Sequence, residues 1–91
     1  MEIKIVGVGP IEGSFGYIIG MTSPGLYVVF SPIPETTTLD FMLGNSIDLD
    51  LNILGPTDAF NKTKNKSVNV CTHAVNINRD EIREKFLPQF P

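Results

Sequence analysis

Cys71 and His73 carry the chemistry that is easiest to name in this chain. Two residues apart on an extended strand, a thiol and an imidazole share a face. With a carboxylate beside them they would supply a nucleophile, a base and an orienting group. The same three groups could also bind zinc. The spacing supports neither reading: no CxxC or HxxxH pattern is present and no glycine-rich loop adjoins Cys71. A lone strand cysteine is more often a small packing residue. No catalytic residue, metal or cofactor is therefore expected, and the Cys71/His73 enzyme or metal site stands as an alternative.

Asp48-x-Asp50-x-Asn52 begins like a calcium loop but does not continue as one. The glycine wanted at the sixth position is Ile53, and the acid wanted at the twelfth is Ala59. A row of carboxylates on a strand is instead an acidic stripe, suited to meeting a basic partner. Gly7-Val8-Gly9 follows a strand, as in a dinucleotide fingerprint, yet the third glycine position is Glu12 and Pro10 stands where a helix should start. Those glycines are read as places where a strand bends and turns. Asn61-Lys-Thr-Lys-Asn-Lys-Ser67 is a polar segment, expected to be a flexible loop that offers Lys62, Lys64 and Lys66 to a partner. In a small barrel such a loop, with Phe15, Tyr17, Tyr27 and Phe30 as stacking surfaces, would suit single-stranded nucleic acid.

The elements that must hold these residues are mainly strands. Ile3 and Ile5 alternate with Glu2 and Lys4 in a strand over 2–8 that Gly7 interrupts. Residues 14–31 form a hairpin around Pro24-Gly25, where proline presets φ and glycine supplies a positive φ, as a type II turn requires. Over 46–54, Ile47, Leu49, Leu51 and Ile53 oppose Ser46, Asp48, Asp50 and Asn52 in strict alternation, and Gly55-Pro56 ends the run. A last strand covers 68–77. Its apolar phase slips between Val70 and Val75, which predicts a bulge near 72–74. Setting Leu49 opposite Val68 and Ile47 opposite Val70 would gather Asp48, Asp50, Asn69, Cys71 and His73 on one face. Thr37, Asp40 and Gly44 suggest a two-turn helix near 36–43. Asn78, with Glu81 three residues on and Ile77 and Ile82 as a staple, caps a short final helix ending before Pro88.

Composition agrees with this order. Ile and Val outnumber Ala by seventeen to two, with eight Gly and seven Pro, which favours strands and tight turns over helices. At 42% hydrophobic and 19% charged, the 91 residues are globular and form one domain, 1–91. No apolar stretch is long enough to span a bilayer and no signal peptide is visible, so no membrane association is expected. A single cysteine excludes an internal disulfide and points to the cytoplasm. The net charge of −3 is unevenly distributed. Residues 1–60 hold seven acids and one base, while 61–91 hold six bases and three acids.

A β-rich fold (all-β or α+β) follows: about five strands in a small barrel or strongly curved sheet, in OB-like order, with one short C-terminal helix. The apolar run Phe86-Leu-Pro-Gln-Phe-Pro91 must either cross its own barrel or meet a second copy, and a homodimer is expected. The expected function is a small acidic, non-catalytic protein-binding domain, of the kind that inhibits or neutralises a basic partner. Its candidate contacts are Asp48, Asp50, Lys62, Lys64 and Lys66. An OB-like single-stranded nucleic-acid module is the alternative.

Overall fold

Strict alternation in the strands builds a wall with an apolar inside. The computed structural model describes residues 2–9, 16–33, 41–88 and 90. Among the described residues, six strands, β1 (Glu2–Gly9), β2 (Tyr17–Ser23), β3 (Leu26–Pro32), β4 (Ser46–Leu49), β5 (Gly55–Asn61) and β6 (Lys66–Ile77), precede one helix, α1 (Arg79–Lys85). The strands pair antiparallel throughout and close into a barrel in the order β1-β2-β3-β6-β5-β4, with β4 returning to β1. A small β-barrel with a short final helix is thus the architecture. It consists of two three-strand meanders joined along β3–β6 and β1–β4. No helix among the described residues is long and apolar enough to cross a membrane.

Inward-facing residues fill the lumen: Ile3 and Ile5 from β1, Ile18 from β2, Val28 and Phe30 from β3, Ile47 and Leu49 from β4, Ala59 from β5, and Val68 and Val70 from β6. Phe41 joins them from outside the strands and meets Phe30 edge to face at 5.4 Å. Each large side chain taken out of water contributes about 1.5–3 kcal/mol. Bulges give the wall its curvature. On β1 the register slips between Ile5 and Gly7, where the sequence predicts a break. On β6 the partners step from Val29↔Ala74 to Phe30↔Thr72, so His73 is the extra residue and the bulge expected near 72–74 is there. Asn76, at φ +54, marks a second irregularity farther along the same strand.

A second core lies outside the barrel. Ile19, Tyr27 and Val29 point away from the lumen and are covered by Ile82 of α1 and by Phe90. Both faces of β2 and β3 are therefore buried, which accounts for the unbroken apolar run Val28-Val29-Phe30. Asn78 caps α1 as its position predicts, its side chain accepting from the Glu81 amide at 2.9 Å. Beyond α1 the chain is seated on its own barrel. A Cβ on Gly9 would collide with Leu87 Cδ2, and one on Gly7 would meet Phe90 at 3.0 Å. These two glycines are thus more than bends, because their missing side chains are what lets Leu87 and Phe90 lie against β1.

Two expectations are corrected, and a third lies mostly outside the described residues. The strand expected over 46–54 stops at Leu49. Asp50 turns the chain, its carboxylate accepting from the Asn52 amide at 2.9 Å, and Gly55 then opens β5 at φ +94. That added strand makes the count six where about five were expected, and it occupies sequence read as loop. The direct pairing expected between this strand and the last one is also absent: β5 lies between β4 and β6, so Leu49 meets Val68 only across Ala59, and the Ile47 row runs through Asn61 to Lys66, not to Val70. The helix expected near 36–43 falls mostly outside the described residues. Its described end is a non-helical segment, with Gly44 at φ +86, stitched to β1 by the Ile5 N–H donating to the Asn45 carbonyl and the Gly44 N–H donating to the Ile5 carbonyl.

Candidate functional site: an acidic sheet face

The second core covers one side of the barrel and leaves the outer face of β4, β5 and the first half of β6 open. Register determines which residues meet there. Glu2, Asp48, Phe60 and Ser67 form one cross-strand row over four strands. Asp58 stands opposite Asn69 in the next row, and Asp50 follows directly at the end of β4. Asp48, Asp50 and Asp58, with Leu51, Asn52 and Phe60, line an open depression of about 630 Å³. Phe60 is 37% exposed, an aromatic surface among carboxylates. A second depression of about 430 Å³ adjoins it, lined by Ile33, Pro56, Thr57, Asn69 and again Asp58. Asp58 therefore belongs to both. Sequence reasoning selected Asp48 and Asp50 but missed Asp58 and Phe60, because both lie on the strand that was read as loop.

The three lysines lie at the other end of the β4–β5 hairpin. Their segment is not the flexible loop expected from its composition. Lys62–Asn65 is a tight turn between β5 and β6, with Asn65 at φ +55. The Lys62 N–H donates to the Ser46 carbonyl at 2.8 Å, the Thr63 hydroxyl accepts from the Ser46 N–H at 2.9 Å, and the Asn61 side chain accepts from the Lys64 N–H at 3.1 Å. Asn61 is fully buried and donates in turn to the Asn45 side chain at 2.9 Å. Lys62 reaches back along the face to Glu2 at 3.2 Å, an ion pair about half exposed and worth at most about 1 kcal/mol. The aromatics proposed to stack bases are committed elsewhere. Phe30 fills the lumen, Tyr27 lies beneath Phe90, and Tyr17 packs against Phe86, while Phe15 lies outside the described residues.

Cys71 and His73 both face outward on β6, but the carboxylates of the acidic stripe are not beside them. Strand β5 intervenes, so Cys71 is flanked by Ser31 on β3 and Pro56 on β5. Cys71 is a half-buried free thiol. His73 uses Nε2 to contact the Ser31 hydroxyl at 2.8 Å and packs edge to face on Tyr17. Partial burial holds its pKa below the ordinary imidazole value of 6.5, which keeps the ring neutral at pH 7. Either neutral tautomer can hold this bond, Nε2 accepting from or donating to the hydroxyl, and it gives the buried Ser31 side chain a partner. Ser31 was not singled out from sequence. The available signal was a hydroxyl directly after a doubly buried run, where a partner is obligatory. Among the described residues, no group of three or more His, Cys, Asp or Glu side chains is placed to hold a metal ion.

No family model matches the chain, and comparison with curated proteins and with solved structures finds no similar one.

Proposed function

We propose that this chain is a small protein-binding domain that docks a basic partner on the open face of β4 and β5, as an inhibitor that neutralises a basic protein would. The observation that carries this reading is the depression in which Asp48, Asp50 and Asp58 surround the half-exposed ring of Phe60. Carboxylates on a paired hairpin are held in place before binding, so little side-chain ordering is paid on contact. They attract a cationic surface at long range and raise the association rate. Phe60 adds a central aromatic anchor of the kind that dominates interface energies. The cytoplasm, as a reducing compartment, suits the single free thiol of Cys71. Dimerisation loses its main motive, since Phe86, Leu87 and Phe90 are seated on their own barrel.

Capture of basic proteins by the immobilised chain at low and high salt tests the proposal, beside an Asp48→Lys/Asp58→Lys variant. Capture at low salt that is lost at high salt and absent from the variant is expected. Equal capture by both chains, or none at low salt, would refute it. Binding of a single-stranded oligonucleotide that requires Lys62, Lys64 and Lys66 would favour the nucleic-acid reading instead.

A further inference from the structure

Two turns meet at the end of the barrel that the acidic depression does not reach. The chain turns at Met42–Asn45, just before β4, with the Asn45 N–H donating to the Met42 carbonyl at 3.0 Å. It turns again at Lys62–Asn65, between β5 and β6. A buried pair of amides ties one turn to the other. Asn45 Oδ1 accepts from the Met42 N–H and from Asn61 Nδ2, while Asn61 Oδ1 accepts from the Lys64 N–H. The first turn leaves Met42 and Leu43 in water, 57% and 67% exposed. The second carries Lys62 and Lys64, and Lys66 follows at the start of β6. Lys4 stands exposed across from Ser46, at the same end of β4. We propose that this end of the barrel docks on an anionic membrane surface, its lysines against the lipid headgroups and Met42 and Leu43 entering the interface.

Charge and exposure together select this occupant. Four cations adjoin two exposed apolar side chains, and surface anchoring takes both signals, because neither weak insertion nor electrostatic attraction holds a protein well alone. Among the described residues, the acidic face begins with Glu2 and Asp48, two rows beyond Ser46, and Glu2 is paired with Lys62. Asp58 lies roughly 13 Å back along β5 from Lys62 at the rise of an extended strand. Exposed charges more than about 8 Å apart are largely screened at physiological salt. The lysine end thus keeps a positive field of its own in a chain of net charge −3. Ile53 and Leu54 are also exposed, but they follow Asp50 at the opposite end of β4, where an anionic surface would meet a carboxylate. Single-stranded nucleic acid would engage the lysines and offer Met42 and Leu43 no apolar phase, which a lipid interface does. The two depressions, which would seat side chains of a protein partner, include neither turn. Because the Asn45–Asn61 pair fixes both turns before contact, little ordering is lost on docking. The bilayer is touched and not crossed, so the lack of a spanning stretch does not bear on this contact. Asp50 and Asp58 then point away from the lipid, still open to a basic partner.

Co-sedimentation of the full chain with lipid vesicles tests this. Vesicles of phosphatidylcholine with roughly one-third phosphatidylserine should retain the chain at about 0.05 M salt and release it at about 0.5 M, and pure phosphatidylcholine should not retain it. Lys62→Gln/Lys64→Gln/Lys66→Gln should weaken binding by at least about tenfold, since each lysine near such a surface contributes severalfold. Met42→Ser/Leu43→Ser should weaken it severalfold by removing the apolar insertion. Ile53→Ser/Leu54→Ser, at the opposite end, should leave it unchanged. All seven side chains are exposed, so each variant should melt close to the unmodified chain, which a thermal scan checks. The salt and lipid dependence of the unmodified chain keeps the test decisive if a variant fails to fold. No retention on anionic vesicles at low salt, retention indifferent to both the lysine and the Met42/Leu43 substitutions, or an equal loss in the Ile53/Leu54 variant would overturn the proposal. So would tighter binding of a single-stranded oligonucleotide that needs the lysines and ignores Met42 and Leu43.

Discussion

Asn61→Ala is the substitution whose cost can be worked most fully from the structure. Asn61 is 0% exposed at the end of β5. Its Nδ2 donates to Asn45 Oδ1 at 2.9 Å, and its Oδ1 accepts from the Lys64 N–H at 3.1 Å. Asn45 Oδ1 also accepts from the Met42 N–H at 3.0 Å, so this one buried amide joins the lysine turn to the segment that carries Phe41 into the lumen. Removing it costs about 1 kcal/mol for each of the two hydrogen bonds. A void of roughly 40 Å³ adds about 1 kcal/mol more. The sum, about 3 kcal/mol, is a large share of the roughly 5–14 kcal/mol expected of a chain this size. Urea denaturation should show a lower midpoint with an unchanged slope, and Tm should fall by about 10–20 °C. A double-mutant cycle with Asn45→Ala should return a coupling of about 1 kcal/mol. A loss below about 0.5 kcal/mol, the range of ordinary surface changes, would refute the reasoning. So would a coupling indistinguishable from zero.

Other substitutions separate the two cores and the open face. Gly20→Ala places a Cβ 2.6 Å from Ile3 Cδ1, a fully buried atom with nowhere to move, and denaturation should show a loss of about 1–2 kcal/mol. Gly9→Ala meets the end of the Leu87 side chain, which is only half buried and can swing aside. It should lower exchange protection at Leu87 while the barrel melts as before. Lys62→Gln removes an exposed ion pair with Glu2 and should change stability by less than about 0.5 kcal/mol in the same denaturation assay.

What could be foreseen from sequence was whatever one local signal decides. Pro24-Gly25 turns the hairpin with Gly25 at φ +80, Asn78 caps α1, and the phase slip between Val70 and Val75 marks a real bulge at His73. Strand β5 escaped because its inward positions are Thr57, Ala59 and Asn61, two of them polar and one small. Such residues suit a strand squeezed between Leu49 and Val68, but they carry no apolar period. Pro56 completes the disguise. It is tolerated because it lies where β5 pairs with β6 alone, β4 having ended at Leu49. The candidate face was half visible for the same reason: Asp48 and Asp50 alternate clearly on β4, whereas Asp58 and Phe60 become surface neighbours only once β5 is recognised as a strand.

Closure of the barrel has a consequence for how anything can be bound. Every strand from β1 to β6 has a neighbour on both sides over part of its length, so among the described residues open backbone rows are confined to short stretches such as the start of β5. Recruitment by strand addition, in which main-chain hydrogen bonds supply affinity whatever the side chains, therefore has little continuous edge to use. A partner must read side chains projecting from the wall, and its selectivity rests on charge and shape at a few positions. That makes the interface easy to retune by single substitutions, while the closed wall that presents it offers other chains only short stretches of open backbone to stack against.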